Sequence, residues 1–157
     1  MQLIGGDDYT MATLVVLLVS YLVLALLKVE KGLRGRISLA VLLFFTGTAH
    51  FYKTQQMVLM LPDYLSFKSE IIYMTGVLEL LGAIGILIPR VSRLGGICLI
   101  LMFVGFLPAN VHAAFKHVKF GGHAYGPIYL LFRIPLQLIF IWWTYRYVIE
   151  LSNRREK

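Results

Sequence analysis

The stretch IIYMTGVLELLGAIGILI, residues 71–88, is of membrane-spanning length and almost wholly apolar, yet it carries a glutamate, Glu79, at its middle. A second apolar run, residues 128–148, carries Arg133 between Phe132 and Ile134. A charged side chain in hydrocarbon costs roughly 3 kcal/mol or more unless it is paired or hydrated. Two such residues of opposite sign predict an ion pair between helices or a site built around both.

The rest of the chain agrees with a membrane reading. Of 157 residues, 59% are hydrophobic and 15% charged, with mean hydropathy +0.77. That is too apolar for an ordinary soluble domain of this size. Five runs read as helices, at about residues 10–27, 37–51, 71–88, 94–113 and 128–148. The expected fold is an all-α membrane protein, a single transmembrane domain over residues 1–157 built as an antiparallel helix bundle. Between the second and third runs, Met57-Val58-Leu59-Met60-Leu61 is too apolar for a free loop and too short to span. Residues 54–65 therefore read as an interfacial segment or a lid.

The net charge of +7 reads as topology rather than as affinity for nucleic acid. One side carries ten Lys and Arg: Lys28, Lys31, Arg34, Arg36, Arg90, Arg93, Arg146, Arg154, Arg155 and Lys157. The other carries four: Lys53, Lys68, Lys116 and Lys119. The positive-inside rule predicts a multi-pass protein of the cytoplasmic (inner) membrane, N-terminus outside and C-terminus in the cytoplasm. The acidic start, Asp7 and Asp8, fits. A cleaved signal peptide fits the first run poorly, because it lacks a basic leader and a small-residue cleavage site. The single cysteine, Cys98, excludes an internal disulfide and reads as core packing. Trp142, Trp143, Tyr145 and Tyr147 read as an interfacial aromatic belt.

Helix periodicity places the polar residues. Around Glu79 the shared face holds Thr75, Gly76, Gly82, Ala83 and Ile86, small enough for close helix approach, so Glu79 should face protein. Tyr129, Arg133 and Gln137 form a stripe at a spacing of four. Pro135 in the same helix should free the carbonyl of Leu131 and favour a bend. Thr46, Gly47 and His50 share a face, as do Asn110, Ala113, Ala114 and His117. With the predicted topology, His50, Glu79, Asn110 and Arg133 all fall in the outer half of the bilayer. That convergence predicts an outward-opening pocket.

Five segments, in order, resemble the DoxX and DoxX-like membrane proteins: Gly47-Thr48-Ala49-His50-Phe51, Leu61-Pro62, Thr75 to Gly85 around Glu79, Pro108-Ala109-Asn110, and Arg133-Ile134-Pro135-Leu136-Gln137. The resemblance covers about residues 36–150. It implies a four-helix core, to which the first helix is an addition, and an association with quinone-linked redox systems. The family often carries a proline after the His-Phe pair, where this chain has Lys53-Thr54-Gln55.

The site expected from these readings takes ligand through His50, Glu79, Asn110, Tyr129, Arg133 and Gln137, with Glu79 and His50 as the candidate proton-transfer residues. The expected ligand is small and lipophilic, a quinone being the candidate cofactor. The protein would then serve as a subunit of a membrane redox complex. Two other classes stand beside it. One is a non-catalytic membrane chaperone or assembly factor in which Glu79 and Arg133 only hold the bundle together. The other is an acid–base enzyme acting on a membrane lipid, such as a double-bond isomerase. Metal or haem held by His50, His112, His117 and His123 is disfavoured by their spacing. A transporter is disfavoured by the absence of an inverted repeat.

Overall fold

The computed structural model describes residues 8–151. Asp7, Arg154, Arg155 and Lys157, used in the charge count, lie outside the described residues. Six α-helices follow one another: α1 (Asp8–Leu26), α2 (Lys31–Tyr52), α3 (Thr54–Val58), α4 (Lys68–Gly85), α5 (Ser92–Phe115) and α6 (Leu130–Thr144). A 3-10 stretch, His123–Tyr129, leads into α6, and a π-helical turn, Tyr145–Ile149, continues it. No strand occurs among the described residues.

Among the described residues, three segments are long and apolar enough to cross a membrane: Tyr9–Leu26, Ser92–Phe115 and His123–Ile149. The surface agrees. Leu22, Leu81, Leu101 and Leu131 are exposed, while Arg36, Ser38, Glu79, Asn110 and Gln137 are buried. Such an inverted distribution suits a chain solvated by lipid. α2 and α4 fall short on hydropathy because α2 opens with Lys31, Arg34 and Arg36, and α4 carries Lys68, Glu70 and Glu79.

α2 is the hub, packing on α1 and α4 along its length, while α5 packs on α6 and its 3-10 lead-in. Small residues set the α2–α4 spacing. A Cβ added at Gly76 would sit 2.7 Å from His50 Cβ, and one at Gly47 would sit 3.2 Å from Glu79 Cβ. Only glycine permits that approach, which places the Glu79 face of α4 against the His50 face of α2. At the opposite end of the bundle, Gly35 of α2 receives the Tyr147 ring, and Trp143 Nε1 donates to the Gly35 carbonyl at 3.0 Å.

Several expectations are corrected. α2 starts at Lys31, two turns before residue 37, so Arg36 is not a flanking loop charge. It is 4% exposed, and its guanidinium donates from Nε to the Tyr147 carbonyl (3.0 Å) and from Nη2 to the Val148 carbonyl (3.4 Å). These carbonyls belong to the π-helical turn, whose wider ladder leaves them accessible. α4 lies about three residues earlier than expected, since Ile86, Leu87 and Ile88 form the turn toward α5. Pro135 lies inside α6, which runs from Leu130 to Thr144. The aromatic belt divides: Trp142 and Tyr145 face outward, but Trp143 and Tyr147 are buried core residues. Cys98 is exposed on α5 rather than packed in the core, because it sits one residue off the buried row of Gly96, Leu99 and Phe103.

Candidate functional site

A cavity of about 330 Å³ lies at the end of the bundle where α1 begins and α2 and α5 end. That volume is at the small end of ligand pockets. Its walls are mostly apolar, with Leu42, Leu43, Phe103, Phe106 and Phe140 among them, and two polar clusters face into it. The first joins α2 to α4. Thr46 Oγ1 donates to Glu79 Oε2 at 2.5 Å, and His50 Nε2 lies 3.5 Å from Glu79 Oε1. Glu79 is 3% exposed.

Proton accounting defines this cluster further. His50 Nδ1 lies 3.0 Å from the Ile72 carbonyl, which can only accept. Thr75 Oγ1, also 3.0 Å from Nδ1, sends its own proton to that same carbonyl at 2.8 Å. Nδ1 therefore carries a hydrogen. Nε2 then faces Glu79 at 3.5 Å, beyond ordinary hydrogen-bond range, and the two form an ion pair when the ring carries a second proton.

The second cluster joins α5, α6 and the loop between them. Arg133 Nε donates to Asn110 Oδ1 at 2.9 Å, and Asn110 Nδ2 donates to the Phe106 carbonyl at 2.7 Å. His123 Nε2 lies 3.1 Å from the same Asn110 Oδ1, and His123 Nδ1 donates to the Phe120 carbonyl at 2.7 Å. The arginine can only donate, so it fixes the orientation of the Asn110 amide. Among the described residues the bond to Asn110 is the one hydrogen bond made by Arg133, and the guanidinium lines the cavity. Gln137, one turn further along α6, donates from Nε2 to the Phe103 carbonyl at 2.7 Å.

The expected Glu79–Arg133 ion pair is absent among the described residues. Each charge has its own polar partners, and both line the same cavity. Of the sequence-predicted site residues, His50, Glu79, Asn110, Arg133 and Gln137 line it, but Tyr129 does not. Its hydroxyl donates to Thr10 Oγ1 at 2.6 Å, and Thr10 donates to the Gly121 carbonyl at 2.7 Å. Tyr129 thus ties α1 to the start of α6.

Three contributors were not singled out as site residues. Thr46 was on the His50 face, but threonine in a helix is common and carries no signal of its own. Tyr9 stacks between Phe45 and Phe120 with its hydroxyl buried and, among the described residues, without a hydrogen-bond partner. His123 reaches the cavity because Gly121 (φ +60°) and Gly122 (φ +89°) turn the chain back after α5. The other histidines lie elsewhere: His112 Nδ1 is 3.1 Å from the Met60 carbonyl, and His117 Nδ1 is 3.2 Å from the Ala124 carbonyl. No group of three or more His, Cys, Asp or Glu with metal-ligand spacing occurs among the described residues.

The 54–65 segment covers the cavity. Met57 and Leu61 are buried and line it, as does Met60. The cover is tied at its far edge by Lys68, whose Nζ donates to Asp63 Oδ1 at 3.1 Å and to the Leu61 carbonyl at 3.3 Å. Lys116 Nζ lies 3.8 Å from Asp63 Oδ2. The hydrogen bond from Lys68, with the charges of Lys68 and Lys116, holds the Asp63 carboxyl below the usual carboxylate range.

Fold and cavity together define an all-helical membrane protein with a partly polar pocket. Residues 39–148 match a family described as "Domain of unknown function (DUF8561)", and the chain belongs to that family. The matched segment runs from α2 to the π-helical turn, so it contains both polar clusters and leaves α1 outside. No curated protein and no solved structure matches the chain.

Proposed function

We propose that this is a five-span, DoxX-like protein of the cytoplasmic membrane, with its cavity toward the outer side. The cavity binds a small lipophilic, quinone-like molecule as part of a membrane redox system. The observation that carries this reading is the facing of the two clusters across one mostly apolar space. The Arg133 guanidinium donates to a ligand carbonyl oxygen, with Asn110 holding it in place. Across the cavity, His50 and Glu79 exchange a proton with a second ligand oxygen. Electrons would come from a partner subunit, because the cavity residues supply protons and hydrogen bonds only. Deep burial of both clusters strengthens those interactions relative to water.

The scaffold reading still draws on the bonds that join Glu79 to α2 and Arg133 to α5, although the two charges do not pair with each other. The acid–base enzyme reading keeps one supporting observation, the His50–Glu79 contact, which suits a proton shuttle to a lipid double bond.

The test is thermal unfolding in mild detergent with and without duroquinone, a tail-less and fully substituted quinone. A ligand at about 100 times its Kd stabilises by about 2.7 kcal/mol. The wild type should shift upward and Arg133→Gln should not. No shift of the wild type up to the solubility limit of duroquinone would overturn the quinone reading.

A further inference from the structure

Beside the polar cavity runs a second space of about 290 Å³ on the outer surface of the bundle, in the seam between α4 and α5. Leu78, Gly82 and Gly85 of α4 form one wall, and Gly95, Cys98 and Met102 of α5 form the other. No charged residue lines it. Met102 lines both spaces, so the groove and the polar cavity lie next to each other along one seam. Gly85 lies six residues past Glu79 on α4, about 9 Å along the axis.

Two glycines mark this route. A Cβ at Gly105, on the exposed flank of the cavity, would meet nothing within 4 Å, and the same holds at Gly85, in the groove. Gly47 and Gly76, by contrast, are closed in by α2–α4 packing. The seam is therefore open at the lipid surface at both levels.

We infer that the ligand is a tailed lipid. Its compact polar head enters the cavity sideways past Gly105, and its single apolar tail lies in the α4–α5 groove over Gly85 and Cys98. This rests on the proposed function for the head group and adds the tail and the route. The occupant follows from adjacency: a groove without polar groups beside a cavity with two polar clusters fits one molecule with an apolar and a polar end. A soluble metabolite would have no use for the groove, and a tail-less molecule would leave it to bulk lipid.

The experiment compares decylubiquinone with duroquinone on detergent-purified wild type, Gly85→Leu and Glu79→Gln. Comparing one compound across proteins cancels its partition into micelles. A Cβ at position 85 meets nothing within 4 Å, so a side chain there starts in open space beside the groove and the variant should fold. The expected result is that Gly85→Leu weakens decylubiquinone about tenfold, through lost tail contacts, and leaves duroquinone unchanged. Alkylation of Cys98 should also slow when decylubiquinone, but not duroquinone, is bound. Unchanged decylubiquinone affinity in Gly85→Leu would overturn the tail assignment while leaving the head-group site standing. If Gly85→Leu weakens decylubiquinone but Glu79→Gln does not, the groove stands and the head-group reading falls. If neither compound binds the wild type, both fall.

Discussion

At the scale of single residues, the contacts of Glu79 with Thr46 and His50 make a sharp demand. Glu79→Gln keeps a donor for His50 Nε2 and an acceptor for Thr46, so its unfolding free energy should change by less than about 1 kcal/mol. Glu79→Leu leaves both partners facing an apolar side chain and should cost about 1–3 kcal/mol. Unfolding in detergent distinguishes the two, and equal losses would contradict the hydrogen-bond assignment. Asp63 provides a control. Its carboxyl is held in the charged form by Lys68, so the clasp is complete above the usual carboxylate pKa and is lost as pH falls through the lowered value. Being fully exposed, it contributes little, and Asp63→Asn should leave the thermal midpoint unchanged near neutral pH.

At the scale of elements, close packing at glycines positions both ends of the bundle. A Cβ at Gly35 would lie 2.2 Å from the Tyr147 ring. Gly35→Ala must push the π-helical turn away from α2 and weaken the bonds from Arg36 and Trp143. A loss of about 1–3 kcal/mol is expected from overpacking alone, read by unfolding in detergent. These contacts also show what was legible in the sequence. The Glu79 face was readable because Gly76, Ala83 and Ile86 recur at helical spacing, and burial of that face follows from its small residues. Arg36 was misread because a cation near the start of an apolar run looks like a flanking charge. Only the tertiary placement of Tyr147 and Val148 reveals its carbonyl partners. His123 was out of reach because its position depends on two left-handed glycines, and Tyr9 because its ring sits between aromatics distant in sequence. The Glu79–Arg133 pair was a fair inference from charge alone, but Glu79 takes Thr46 and His50 as partners, and Arg133 gives one of its five N–H groups to Asn110.

At the scale of the whole molecule, the antiparallel arrangement puts the cavity, α3 and the 116–129 loop at one end and Arg36, Tyr147 and the α4–α5 turn at the other. With the cysteine-free Cys98→Ala chain as background, Lys119→Cys should react with a membrane-impermeant maleimide from outside the cell. Arg90→Cys should not. The reverse pattern would invert the orientation and put the cavity on the cytoplasmic side. The most direct measurement of the account as a whole is mass spectrometry of the small molecules that co-purify in mild detergent with wild type and with Glu79→Gln. The account predicts a lipid with a compact polar head and a long apolar tail, enriched on the wild type and lost from the variant. The same bulk lipids on both proteins would contradict it.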